Sequence, residues 1–290
     1  MITSELVQYI ASGITMGAIY AVVGLGFTII YTVTGVINFA QGEFVMLGGM
    51  VSFSLITALG LPLPLAFVLT VVLVTLVGVA LNLLTIRPAR QASNISLIII
   101  TIGAALFIRA IAGLGWGKNA QPVPPFTGSE TIGFLGAYVR IQSLWVIGIT
   151  VLLVLLVYLL LNRTLVGKSL KAAAINSRAA SLVGIDARTM SLVSFALAAS
   201  TGAIAGMVIA PISFASYDMG VMLGLKGFVA AAMGGFTGIW GVLLGGMGLG
   251  LAESLAAGYV SSAYKDAIAM VFLFAVLLIN SRNLAGEEKR

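Results

Sequence analysis

The chain has 290 residues, of which 60% are hydrophobic and 8% are charged. A soluble domain carries roughly 25% charged residues, so this chain lacks the polar groups to cover a water-facing surface and reads as a lipid-exposed bundle. It has no cysteine and no histidine. That excludes disulfides, thiol chemistry and almost all transition-metal sites, and leaves acid–base work near neutral pH to a perturbed Glu, Asp or Lys.

The first eight residues hold Glu5 and no Lys or Arg. The apolar stretch that follows is too long for a signal-peptide core, so it is expected to be the first membrane helix. Leu6–Gly42 and Phe44–Ile86 carry no charge. About 20 apolar residues cross a bilayer, so Phe44–Ile86 holds two helices, divided at Gly60-Leu61-Pro62-Leu63-Pro64. Proline removes a donor there and pushes the residue before it out of helical geometry. Spans are expected at 6–34, 42–60, 63–86, 93–113, 142–162, 189–211 and 266–282, with an irregular stretch at 225–257. The fold class is an all-α polytopic membrane protein of about eight helices, broken or re-entrant near 35–43 and 225–250. Residues 1–290 are expected to form a single transmembrane domain, with 163–188 as a loop within it.

Between the first two spans lies Thr34-Gly35-Val36-Ile37-Asn38-Phe39-Ala40-Gln41-Gly42-Glu43. Asn38 is placed to cap a helix starting near Phe39, with Glu43 suited to the positive end of its dipole. If that helix starts inside the membrane, its polar groups line a path. If it starts at the membrane surface, Glu43 is an ordinary first-turn acid. Arg109 and Glu253 are the other charges within apolar stretches, read as pairing or facing the bundle interior. Lys265-Asp266 reads as an interfacial pair before the last span.

Residues 114–140 carry Pro122, Pro124, Pro125 and five glycines, and form an extramembrane loop. Residues 163–188 carry Arg163, Lys168, Lys171, Arg178 and Arg188 against Asp186 alone. The positive-inside rule places this loop and the Arg87/Arg90 turn in the cytoplasm, which puts 114–140 and 212–224 outside. Arg282, Lys289 and Arg290 favour a cytoplasmic C-terminus, which requires 225–257 to cross twice. Its glycine density fits either short, closely packed helices or a re-entrant pair.

Gly167-Lys168-Ser169 looks like the end of a phosphate-binding loop. Asn162 stands where that motif needs glycine, and a membrane helix stands where it needs a strand, so the nucleotide reading fails. The segment reads instead as a surface helix capped by Ser169 and stopped at Gly184. Ala173, Ala180 and Gly184 recur on one face as a small-residue stripe that lets a partner approach closely. The alternative is a solvated basic loop that only sets topology.

Four ordered motifs together resemble the permeases of branched-chain amino-acid ABC importers, of LivH type, over nearly the whole chain. They are Val36–Phe44; Arg87-Pro88-Ala89-Arg90; Gly167–Asp186 with Asn176 and Leu182-Val183-Gly184-Ile185; and Gly224-Leu225-Lys226-Gly227-Phe228 followed by Gly234-Gly235, Gly238, Gly241, Gly245-Gly246 and Glu253. The resemblance implies a subunit of an ATP-driven importer in a bacterial cytoplasmic (inner) membrane. It implies a translocation path at Asn38, Gln41, Gly42, Glu43 and Glu253. It implies ATPase coupling at Gly167, Lys171, Ala173, Asn176, Ala180 and Gly184. The partners implied are a second homologous permease, two cytoplasmic ATP-binding subunits, an external solute-binding protein and lipid, with no nucleic acid. ATP would be used by the partner subunits, with no cofactor, metal or catalytic residue in this chain. Urea and short amides are alternative substrates within the family. An ion-coupled carrier is the rival of a different class, set against only three counted intramembrane charges: Glu43, Arg109 and Glu253.

Overall fold

The computed structural model describes residues 2–275 apart from 90, 91, 129, 135, 237 and 273. Five helices come first: α1 (Ile2–Thr34), α2 (Gln41–Phe53), α3 (Leu63–Leu81), α4 (Asn94–Trp116) and α5 (Ile141–Arg163). Two short helices follow, α6 (Leu165–Ile175) and α7 (Ser177–Leu182), and then α8 (Ala187–Ser213), α9 (Met219–Met233) and α10 (Ile239–Tyr259). Residues 54–58 and 82–86 extend α2 and α3 as π-helical turns. A further helix begins at 265 and holds the last described residues. The remainder of the expected 266–282 span, Arg90 and the C-terminal basic residues lie outside the described residues.

Six of these helices, α1, α3, α4, α5, α8 and α10, are long and apolar enough to cross a membrane. Contacts sort the helix ends into two groups. At one end, Asn82 Nδ2 donates to Ser191 Oγ at 2.9 Å, Lys171 Nζ to Asn162 Oδ1 at 2.7 Å and Thr32 Oγ1 to the Phe236 carbonyl at 3.3 Å. This is the basic end, with Arg87, Arg163, Lys168, Arg178 and Arg188. At the other, Trp116 Nε1 donates to Ser54 Oγ at 2.6 Å, Gln121 pairs with Ala215, and the Tyr9 and Tyr259 rings meet edge to face. Helices α1–α5 and α8–α10 therefore alternate between the ends, and the helix from 265 starts at the far end.

This settles the irregular stretch. It is two helices, α9 and α10, with Gly234 following the first and Gly238 preceding the second at the basic end, so the chain runs from end to end twice. The helix begins at Met219 rather than 225, which shortens the expected 212–224 outer loop to the residues between Ser213 and Met219. Among the described residues eight helices run between the ends, α1–α5 and α8–α10, with α2 and α9 as short members, in keeping with a bundle of about eight. The expected 114–140 loop also contains structure: β1 (Thr131–Phe134) and β2 (Ala137–Arg140) pair antiparallel, with Thr131 opposite Arg140. Gly136, at φ 81°, makes the turn. The β-branched and aromatic residues Thr131, Ile132, Tyr138 and Val139 suit extended geometry. Gln8 ties this hairpin to α1 through Tyr138, at 2.9 and 3.0 Å.

The core is built around α1. Every residue from 17 to 30 is buried, as expected of a helix that is apolar all round. Where lipid and protein are equally apolar, close backbone approach drives packing. A Cβ at Gly17 would stand 2.8 Å from the Gly246 carbonyl of α10, and one at Gly224 of α9 would stand 2.9 Å from Gly42 Cα of α2. Glycine at these two crossings brings the helices to backbone contact and sets the position of the site.

Candidate functional site: a buried ion pair beside an apolar cavity

The chain leaves α1 at Gly35, whose φ of 68° breaks the helix. It then runs buried through Val36, Asn38 and Ala40. Asn38 Oδ1 accepts from the Ala40 N–H at 3.2 Å, and its carbonyl accepts from the Gln41 N–H at 3.1 Å. Asn38 thus closes a turn, and α2 starts at Gln41 rather than near Phe39; the helix has no side-chain cap. The Phe39 N–H donates to Thr101 Oγ1 of α4 at 3.2 Å, two turns into that helix. The break therefore packs against α4 inside the bundle.

Gln41 is fully buried and donates from Nε2 to the Ala198 carbonyl of α8 at 3.0 Å. Gly42 lies against Gly220 and Gly224 of α9. Glu43, 1% exposed, pairs with Arg109 of α4: Nε donates to Oε1 at 3.2 Å, and Nη2 makes a second, closer contact to the same oxygen. Arg109 is 15 residues past Asn94, about 22 Å along α4. The pair borders a cavity of about 320 Å³ walled by Phe27, Phe39, Ile102, Leu106, Val221 and Phe228. Asn38, Gln41, Gly42 and Glu43 are thus brought together, with Glu43 reaching the cavity.

Glu253 belongs to a separate cluster. Its carboxylate accepts from Lys226 Nζ at 2.6 Å and from Tyr20 Oη at 2.8 Å, and Lys226 also meets Asp266 at 2.8 Å. Lys226 and Glu253 are both buried. This corrects two readings. Asp266 pairs with Lys226, not with its neighbour Lys265. The intramembrane charges also number more than Glu43, Arg109 and Glu253. Lys226, within the 225–257 stretch, was not counted among these charges; its apolar flanks from Met219 to Met233 were the signal that it lies inside a helix.

The basic lobe also departs from expectation. It is two helices, not one. Thr164, not Ser169, caps α6 by accepting from the Gly167 N–H, and Asn176 caps α7 by accepting from the Ala179 N–H. Gly184, at φ 85°, ends α7, with the Ile185 N–H returning to the Ala180 carbonyl at 3.0 Å. Of the small-residue stripe, Ala173 and Ala180 are buried against this chain's own helices, as is Gly167, whereas Gly184 is exposed. A Cβ on Gly167 would collide with α5 at Leu160 and Leu161. The outward side carries Leu165, Ile175, Leu182 and Val183, each at least 75% exposed. Asp186 caps α8: hydrogen bonds from the Thr189 hydroxyl and the Arg188 N–H hold its carboxyl below the usual range.

Among the described residues no group of three His, Cys, Asp or Glu is placed to hold a metal. Taken together, the polytopic bundle with its buried ion pairs and two-helix basic lobe is that of a membrane transport subunit.

Residues 9–280 match the model of the family described as branched-chain amino acid transport system / permease component. The chain is 30% identical to the high-affinity branched-chain amino acid transport system permease protein LivH of Escherichia coli, over 96% of this chain and 95% of that one. It is 27% identical to BraD of Pseudomonas aeruginosa, over 96% and 95%, and 29% identical to a probable LivH of Methanocaldococcus jannaschii, over 90% and 87%. The chain belongs to this permease family.

Proposed function

We propose that this chain is the membrane-spanning subunit of an ATP-driven importer of branched-chain amino acids. Its place is the bacterial cytoplasmic membrane, with the basic end inside. A second permease completes the pore, two ATP-binding subunits grip the α6–α7 lobe, and an external solute-binding protein docks near the hairpin. Solute passes along the cavity beside Glu43 and Arg109, and the ATP chemistry belongs to the partners.

The observation that carries this reading is the lobe itself. Leu165, Ile175, Leu182 and Val183 stand exposed among Lys168, Arg178 and Arg188. Apolar tips at a membrane protein's aqueous end mark a protein contact. Family membership supports the substrate class, and the Glu43–Arg109 pair supports the path, because ionisable residues within membrane spans mark functional sites by default.

The test is uptake of labelled leucine, isoleucine, valine and urea by the reconstituted complex. ATP-dependent uptake of the three amino acids is expected. Uptake that survives loss of the ATPase but collapses with an ion gradient would overturn the reading.

A further inference from the structure

The Glu43–Arg109 pair is incompletely satisfied. Arg109 engages Nε and Nη2 on one oxygen of Glu43. The other oxygen, Oε2, is buried without a hydrogen-bond partner. Among the described residues, Nη1 of Arg109 also donates to nothing, although guanidinium carries five donors. An unpaired buried carboxylate oxygen is costly. The pair therefore leaves one carboxylate oxygen, Oε2, and one guanidinium nitrogen, Nη1, each without a protein partner.

The walls of the cavity are of the opposite character. Phe27, Phe39, Ile102, Leu106, Val221 and Phe228 offer only apolar surface. At about 320 Å³ the cavity falls within the size range of small-molecule sites, roughly 300–1,000 Å³. A ligand that matches has ammonium and carboxylate at one end and a hydrocarbon body at the other. It is neutral overall, so no net charge enters the bundle.

We infer that this cavity is a subsite for the zwitterion of an apolar amino acid, with its ammonium on Glu43 and its carboxylate on Arg109. The inference rests on the import reading above and names the atoms that recognise the solute in passage. A zwitterionic lipid headgroup shares this chemistry. Ile102, Leu106 and Val221 are each 39% exposed or more, so the cavity also meets the outer surface of the bundle.

The chain has no cysteine, so Val221→Cys places a single thiol at the mouth. The complex is placed in phosphatidylcholine nanodiscs, and labelling of this chain by a water-soluble thiol reagent is followed by mass. Leucine should slow labelling about tenfold, the effect of roughly 1.4 kcal/mol of occupancy. Its amine-only and acid-only analogues, 3-methylbutylamine and 4-methylpentanoate, should not. Glu43→Gln and Arg109→Gln should abolish protection. Leu106→Trp, which adds bulk to the cavity wall and keeps both charges, should also abolish protection and tests the site where a charge variant fails to fold. The inference is overturned if the thiol never labels, if leucine does not protect, or if the analogues protect equally. It also falls if only added phosphatidylethanolamine protects, which would make this a lipid site. Leucine uptake by the unsubstituted complex separates the two claims: uptake without protection sinks the subsite alone, and no uptake sinks the import reading.

Discussion

Lys226 of α9 and Glu253 of α10 meet at 2.6 Å inside the bundle, with the Tyr20 hydroxyl donating to the second carboxylate oxygen at 2.8 Å. Three helices are joined at one carboxylate, and Asp266 adds the helix that begins at 265. Lys226 Nζ also lies 5.5 Å from the centre of the Tyr20 ring. A buried pair of this kind is weak evidence of net stabilisation, but removing one partner leaves a charge with nothing to offset it.

Lys226→Met is therefore expected to destabilise the folded chain by about 3–5 kcal/mol. The double variant Lys226→Met/Glu253→Leu should lose much less, because no charge is stranded. The unfolding midpoint of the purified complex in mild detergent gives the comparison. Equal losses in the single and double variants would show that Lys226 acts through packing instead.

Gly42 and Gly220 face each other across the α2–α9 crossing, and a Cβ on Gly42 would fall on the Gly220 carbonyl. Gly42→Ala is expected to push the two helices apart, at about 1–3 kcal/mol or more, and to lower leucine uptake by moving Glu43 away from Arg109. Gly148 of α5 is the control, since a Cβ there meets nothing within 4 Å. Gly148→Ala should be neutral or stabilising by about 0.5–1 kcal/mol. A Gly42→Ala chain with normal midpoint and uptake would remove close backbone approach as the cause of the crossing.

Most of the helices were legible because long apolar runs and Gly-Pro breaks are local signals: α3 begins at Leu63 and its π-helical end stops at Ile86, as expected. Glu43, Arg109 and Glu253 were visible as charges within apolar sequence. Their pairing was not, because Glu43 and Arg109 are far apart in the chain and meet only through packing of α2 on α4. Lys226 went uncounted for a related reason. A charge ends an apolar run in sequence, yet a lysine paired with Glu253 and Asp266 sits comfortably within one. Ala173 and Ala180 were read as one helical face, but Asn176 ends α6 and caps α7, so the two alanines sit on different helices and only packing shows what each meets.

Asp186 offers a pH test outside the membrane. Its carboxylate caps α8 by accepting from the Thr189 hydroxyl and from the N–H groups of Arg188 and Thr189, and its folded pKa is lowered. A lowered folded value means that the cap's contribution is complete above the unfolded value, about 3.9. It is lost as pH falls through the folded one. Amide protection at the first turn of α8 should hold down to about pH 4 and drop below it, relative to Asp186→Asn. Parallel pH profiles for the two chains would show that the cap does not depend on the charge.

The two sides of the α6–α7 lobe should respond differently to substitution. Ile175 and Leu182 are 87% and 89% exposed, whereas Ala173 and Ala180 are 4% exposed and packed inward. Ile175→Asp or Leu182→Asp leaves the chain's own core untouched and places a carboxylate in any apolar contact made there. If the lobe is the ATPase dock, these variants should keep the unfolding midpoint of the isolated permease while losing ATPase co-purification about tenfold or more, as truncating a central apolar anchor costs roughly 2 kcal/mol or more. Ala180→Trp should instead lower the midpoint, because the indole has to enter the α7–α8 packing. If Ile175→Asp and Leu182→Asp retain ATPase binding and full leucine uptake, the exposed apolar tips are not the docking surface, and the lobe's role reduces to holding its basic charges at one end of the bundle.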